Sequence, residues 1–146
     1  MEILLAKERN VEDILRINQV LCKNYAGFRD FRYNKPNVIL EDIERGFYFI
    51  GVENNKIKGV MSLGINGNDF VLRSIAVDEN FQKEGIGKKF VERAKIIGVK
   101  NSTDTFVVGS MLDYNARSFY ENCGFKLGRI KKTVWGDSYE FYMKLT

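Results

Sequence analysis

Two glycines and three lysines crowd one stretch, Ser74-Ile75-Ala76-Val77-Asp78-Glu79-Asn80-Phe81-Gln82-Lys83-Glu84-Gly85-Ile86-Gly87-Lys88-Lys89-Phe90. It reads as a strand, a short loop and the opening of a helix. Glycine lets the backbone approach a ligand, because no Cβ intrudes. The first amides of a helix lack intrahelical acceptors and stand at the positive end of its dipole. Such a loop can hold phosphate, and Lys83, Lys88 and Lys89 add positive charge beside it. Two familiar phosphate loops do not fit. A dinucleotide fold needs a third glycine where this chain has Phe90, and needs the loop in its first β-α unit. A triphosphate loop needs Gly-Lys-Ser/Thr, whereas Gly87 is followed by Lys88-Lys89. The plain alternative is that Gly85 and Gly87 only shape a helix start.

The chain has no histidine. That removes Ser-His-Asp and Cys-His hydrolases, His-containing zinc sites and His proton shuttles, and no metal is expected. Acid–base chemistry falls to carboxylate, tyrosine, lysine, cysteine, backbone or water. The opening residues Met1-Glu2-Ile3-Leu4-Leu5-Ala6-Lys7-Glu8-Arg9 turn charged too soon for an export signal. The expectation is therefore a cytoplasmic protein with Cys22 and Cys123 as reduced thiols. No apolar run approaches the ~18–20 residues of a membrane span, so no membrane partner is expected. With 23 Lys+Arg against 19 Asp+Glu the net charge is +4, a mild preference for anionic partners. That charge is all that supports a basic nucleic-acid-binding protein. No helix gathers a basic stripe and no recognition motif is present, so no nucleic acid is expected.

These residues need elements to position them. The 146 residues suit one domain, 1–146. Ile3 to Ala6 reads as a strand. Asn10 is set to cap a helix whose apolar face is Val11, Ile14, Ile17 and Leu21, with Asp13 at the capping-box position. Residues 23–35 show no clean period; Tyr25, Phe28, Phe31 and Tyr33, with Trp135, are candidates for a pocket or for core. Pro36 starts a second helix that ends near Gly46. Phe47–Val52, Ile57–Ile65 and Phe70–Val77 form an antiparallel meander, turning at Asn54-Asn55 and Asn66-Gly67. A helix runs from the two glycines to about Ile97, with Ile86, Phe90, Ala94 and Ile97 inward. Thr105–Gly109 is a strand. Asp113 can cap a helix that buries Ala116, Phe119, Tyr120 and Cys123 and stops at Gly124. Phe125–Thr133 and Tyr139–Leu145 are the last strands, joined near Gly136-Asp137. The Arg129-Ile130-Lys131-Lys132 run reads as a solvated edge. The order makes a mixed α/β (α+β) domain of about seven strands.

Gln82-Lys83-Glu84-Gly85-Ile86-Gly87 resembles the Gln/Arg-x-x-Gly-x-Gly/Ala signature of the GNAT superfamily of N-acetyltransferases. It follows Ile75-Ala76-Val77, as that signature follows the family's fourth strand. Ala116-Arg117-Ser118-Phe119-Tyr120-Glu121-Asn122-Cys123-Gly124-Phe125 is similar to the family's Ala-x-x-Phe/Leu-Tyr-x-x-x-Gly-Phe segment. The resemblance in element order spans essentially the whole chain. It implies a mostly antiparallel sheet with helices on both faces, splayed between strands 4 and 5. It implies acetyl-CoA as co-substrate, its pantetheine arm on the backbone of Ile75, Ala76 and Val77. The pyrophosphate would lie on amides of Gln82, Lys83, Glu84, Gly85, Ile86, Gly87 and Lys88.

The implied reaction is direct attack of a primary amine on the thioester. The resemblance makes Tyr120 the general acid for the departing thiolate. A phenol with pKa about 10 holds its proton at neutral pH. An amide of the fourth strand, with Val77 the candidate, would meet the oxyanion. Many family members carry a carboxylate on the fourth strand, where this chain reads Leu72-Arg73-Ser74. Arg73 cannot act as a base and reads as a surface arginine, or as a partner for an acidic group on the acceptor. Asp69 reads as a turn residue. The general base stays open between ordered water and binding of an already neutral amine. The family often has Asn at the position of Asp113; Asp113 reads as a helix cap, and Asn115 is the substitute cofactor contact. Cys123, on an apolar face with no histidine to activate it, is not expected to be a nucleophile. A small-molecule or peptide amine is the expected acceptor, and the chain is expected to be a monomer or homodimer. The missing carboxylate supports a rival, a CoA-binding regulatory module without catalysis.

Overall fold

The computed structural model describes residues 1–22, 32–111, 116–133 and 136–146. Seven strands form one sheet: β1 (Glu2–Leu5), β2 (Tyr48–Glu53), β3 (Lys56–Asn66), β4 (Asp69–Val77), β5 (Thr105–Met111), β6 (Lys126–Thr133) and β7 (Gly136–Lys144). Their order across the sheet is β1-β2-β3-β4-β5-β7-β6. Every pair is antiparallel except β4–β5, which is parallel. The helices are α1 (Val11–Asn18), α2 (Pro36–Glu44), α3 (Ile86–Lys100) and α4 (Arg117–Asn122). No helix among the described residues is long and apolar enough to cross a membrane. Tyr25, Phe28, Phe31, Asp113, Asn115 and Trp135 lie outside the described residues.

The sheet separates two cores. On one face α3 and α4 bury Phe70, Leu72, Phe90, Val91, Phe106, Tyr120 and Phe141. On the other, α1 and α2 bury Ile14, Ile17, Ile39, Tyr48, Ile50, Val60 and Ala76, and Tyr33 is core there rather than pocket wall. Pro36 opens α2 as expected. Gly124 ends α4 at φ +101.

β4 carries the fold's informative irregularity. Ser62 pairs with Ser74, but the next residue of β3, Leu63, pairs with Leu72. Arg73 is the extra residue, a β-bulge. Phe70, Leu72, Ser74 and Ala76 alternate and are all buried. An unbroken strand would turn all four to one face. The bulge sends Phe70 and Leu72 to the α3 core and Ala76 to the α1–α2 core.

Three local expectations are corrected. Asn10 does not cap α1 with its side chain. Its Oδ1 accepts from Lys7 N at 2.7 Å and closes the preceding 3-10 turn instead. Asn66 is the last residue of β3, paired with Asp69, so the turn is Gly67-Asn68 with Gly67 at φ +62. A positive φ at the first turn position suits the twist of the hairpin. Gly136 and Asp137 pair with Thr133 and Lys132, so β7 starts at Gly136 rather than at Tyr139, and β6 gives way to β7 near the expected place.

Candidate active site

The parallel pairing of β4 with β5 runs from Asp69↔Thr105 to Leu72↔Val108 and stops. Beyond Leu72 the two strands part. Asp78 N donates to Lys58 O at 2.9 Å. Successive residues of a strand turn their polar groups to alternate sides. Ile75 and Val77 therefore direct N–H and C=O away from β3, into the gap. Gln82 Nε2 donates to Val77 O at 3.3 Å, tying the loop to the strand end.

At the far end of that loop Gly85 takes the left-handed conformation, φ +78, and α3 begins. The first intrahelical bond runs from Lys89 N to Gly85 O at 3.2 Å. The amides of Ile86, Gly87 and Lys88 thus have no acceptor within the helix. A Cβ at Gly87 would stand 3.0 and 3.1 Å from the Phe119 ring, so this glycine lets α4 approach α3. Phe90, where a dinucleotide fold has its third glycine, lies over the sheet glycines instead. A Cβ at Gly51 or Gly59 would meet its ring at 3.0 or 2.8 Å.

One cleft of about 960 Å³ collects these groups. Ile75, Ala76, Val77, Gln82, Lys83, Gly85, Ile86, Gly87, Lys88 and Tyr120 all line it. Of the residues expected at the site, Glu84 is not in the lining and Asn115 lies outside the described residues. Val20 and Leu21, just after α1, line it together with Phe119 and Tyr120 of α4. The cleft therefore passes through the β4–β5 gap and reaches both faces of the sheet.

Tyr120 packs against Phe119, Phe125 and Phe141, with ring centroids 5.1, 5.7 and 5.3 Å away. Burial, and to a lesser degree Cys123, raises its phenol pKa far above the ordinary value, so it remains a proton donor. Burial also pushes the Cys123 thiol up, against the pull of Lys95. Lys95 Nζ donates to Cys123 O at 2.9 Å and pins the end of α4 to α3.

Sequence reasoning missed the residues that brace the loop. Lys58 Nζ lies 2.7 Å from Glu53 Oε1, 3.7 Å from Glu84 Oε1 and 4.6 Å from the centre of the Phe81 ring. It turns Glu84, an acid in the glycine loop, toward a cation. Arg16 Nη1 of α1 reaches Asp78 Oδ2 at 2.8 Å, and Asp78 Oδ1 accepts from Asn80 N at 2.9 Å. Burial pushes the Asp78 carboxyl up, but Arg16 and the Asn80 amide together hold it below its ordinary range. The Arg16–Asp78 pair has no sequence signal, since the two residues are 62 apart. Arg73 stands over Gly64, where a Cβ would collide with its guanidinium.

Solved structures with this fold span nearly the whole chain. Ard1 from Thermoplasma volcanium superposes with TM-score 0.83 at 15% identity, covering 98% of this chain and 96% of that one. The ribosomal-protein-S18-alanine N-acetyltransferase from Escherichia coli gives 0.79 at 19% identity, covering 99% and 94%. PaiA N-acetyltransferase from Thermoplasma acidophilum, in complex with coenzyme A, gives 0.82 at 18% identity, covering 98% of each. No curated protein matches in sequence. These identities speak for the fold alone. A family model described as the acetyltransferase (GNAT) domain matches residues 44–127, from the end of α2 into β6 and across the whole of the cleft's loop and β4. With more than half of its length matched, the chain belongs to the GNAT acetyltransferase family.

Proposed function

We propose that residues 1–146 form one cytoplasmic, acetyl-CoA-dependent N-acetyltransferase domain, which transfers an acetyl group to a primary amine by direct attack. One observation carries the reading. The free backbone rim of β4, the unpaired amides of α3 and the Tyr120 phenol line a single cleft. A diphosphate fits amides presented by Gly85-Ile86-Gly87-Lys88, because glycine leaves room and the helix dipole favours the charge. An extended amide-bearing arm fits the β4 edge at Ile75 and Val77, whose backbone groups turn away from β3. Bound there, the thioester supplies an activated acyl group and a sulfur leaving group.

The chain's own groups do the rest. Tyr120 gives its proton to the departing sulfur. The Val77 N–H, turned into the gap, donates a hydrogen bond to the negatively charged acyl oxygen. A small-molecule or peptide amine enters from the side of Val20 and Leu21, because α3 and α4 fill the other face. Several proteins with the same fold carry names of amine acetyltransferases, the S18-alanine enzyme among them, which favours this acceptor chemistry.

The test is acetyl-CoA-dependent thiol release over a panel: an alanyl peptide, a lysyl peptide, spermidine, an aminoglycoside and glutamate. Turnover with at least one amine is expected. Tight acetyl-CoA binding with no amine-dependent release would select a CoA-binding regulatory module instead.

A further inference from the structure

The acceptor amine arrives as an ammonium and must lose a proton before it attacks, yet β4 itself offers no carboxylate, and Glu79, the one carboxylate in the cleft lining among the described residues, stands on the loop beyond it. The α1–α2 face buries one against β3. Asp42 of α2 is 2% exposed. Ser62 Oγ lies 2.8 Å from Asp42 Oδ2 and 3.0 Å from the Tyr33 hydroxyl. A serine has one proton and a carboxylate only accepts. Ser62 therefore donates to Asp42 and accepts from Tyr33. Across the ladder Ser62 faces Ser74 of β4. Ser74 is 7% exposed, and its Oγ has no hydrogen-bond partner among the described residues. A buried hydroxyl left unpaired costs about 1–3 kcal/mol and needs a reason. Ser74 stands two residues beyond the last β4–β5 pair, directly before Ile75, the first β4 residue of the cleft wall. The Arg73 bulge turns it toward Asp42, and without that bulge it would face α3.

We propose that Ser74, Ser62 and Asp42 form the proton relay that deprotonates the acceptor amine, with Asp42 as terminal base. The inference rests on the acetyltransferase reading above. Opposed residues on a ladder have Cβ atoms about 4.5–5.5 Å apart, so a χ1 rotation brings the two serine hydroxyls into hydrogen-bond reach. An ammonium N–H bond breaks, and its proton passes to Ser74 Oγ. The Ser74 proton moves to Ser62 Oγ, and the Ser62 proton to Asp42 Oδ2. The amine keeps the electron pair and becomes neutral; Asp42 ends as a carboxylic acid. The charged and titratable groups facing Asp42 are the Tyr33 phenol, the Tyr48 phenol of β2 and, beyond the Tyr33 ring, Arg32. Burial raises both phenols, so neither competes as a base.

The test compares full-length wild type, Asp42→Asn and Ser74→Ala across pH. The acceptor is the panel amine that wild type acetylates fastest. Both variants should lose about 100-fold in kcat/KM for the amine near neutral pH. The loss should shrink as the pH rises through the amine's own titration, where neutral amine needs no base, and the profiles should converge. A merely structural defect lowers the rate by one factor at every pH. Parallel profiles, or wild-type rates in both variants, overturn the relay. Ser74→Ala removes one oxygen without touching the packing around Asp42, so it decides the matter if Asp42→Asn does not fold. Failure of wild type to acetylate any panel amine counts against the acetyltransferase reading, and is distinct from parallel profiles.

Discussion

Phe70, Phe90, Phe106 and Phe141 fill the α3 face of the sheet, each with no measurable exposure. The opposite face buries Asn18, Asp42, Ser62 and Ser74 to 7% exposure or less. Both faces exclude water, but they do so with different chemistry. Apolar burial gains roughly 25 cal/mol per Å². A buried polar group gains little even when fully bonded, and costs when it is not. The α3 face carries the larger apolar core, and the α1–α2 face adds these buried polar groups to a smaller one. The α1–α2 face holds polar groups that stability alone would not select. Asn18 is typical: its Nδ2 donates to Tyr33 O at 2.9 Å and to the Tyr48 hydroxyl at 3.2 Å, while its Oδ1 has no partner among the described residues.

The contrast breaks down if substitutions on the two faces have interchangeable consequences. Phe90→Ala should have the largest effect, a loss of about 3–5 kcal/mol in chemical denaturation, because the ring is fully buried. A loss below about 1 kcal/mol would mean that burial on the α3 face contributes little to stability. Tyr120→Phe should leave the denaturation midpoint close to wild type and lower kcat by about 100-fold or more, with acetyl-CoA affinity kept. Equal kcat would remove the acid role. Ser62→Ala should cost about 1–3 kcal/mol, since it strips a buried partner from Asp42 and adds no cavity.

Gly87→Ala sharpens the α3–α4 contact. Alanine gains roughly 1 kcal/mol of helix propensity over glycine. Its Cβ, however, would stand 3.0 Å from the Phe119 ring. Overpacking of that kind costs about 1–3 kcal/mol, so a net loss in thermal stability is expected. In a Phe119→Leu background the same change should become stabilising; a loss in both would place the strain elsewhere.

The smallest effect concerns acid. The Asp78 carboxyl is held below its unfolded value, so its stabilisation is complete above about pH 4 and is lost as pH falls through the lower folded value. Asp78→Asn should flatten the acid limb of the stability curve without moving its neutral plateau by more than the lost Arg16 pair. An unchanged acid limb would show that the pair is screened by solvent at Arg16, which is half exposed.

Much of this architecture could be read from periodicity and turn chemistry. The meander β2–β3–β4 follows from alternating apolar residues with asparagine and glycine at the turns. Asn54 and Asn55 both take positive φ, 53° and 61°. The cleft was legible because its backbone donors are announced by residue types that serve the backbone, Gly85 above all. The bulge at Arg73 was not legible. Leu72-Arg73-Ser74 alternates as well as any strand, and only pairing with β3 decides which residue is extra. The Asn66-Gly67 dipeptide named the right hairpin one residue too early for the same reason, because register belongs to the pair of strands and not to either one.

The sequence by itself determined the class of the molecule: which segments pair into strands, where a helix opens on glycine, and that proton transfer must proceed without histidine. Those properties depend on local sterics and on the period of apolar residues, which the chain carries wherever it lies. Tertiary structure alone decided which side chains share a space. Asp42 and Ser62 are 20 residues apart, Arg16 and Asp78 62. Hydrogen bonds and ion pairs act over a few ångströms, so only the folding of α1 and α2 onto the bulged sheet could bring a carboxylate against Ser62 and an arginine against Asp78.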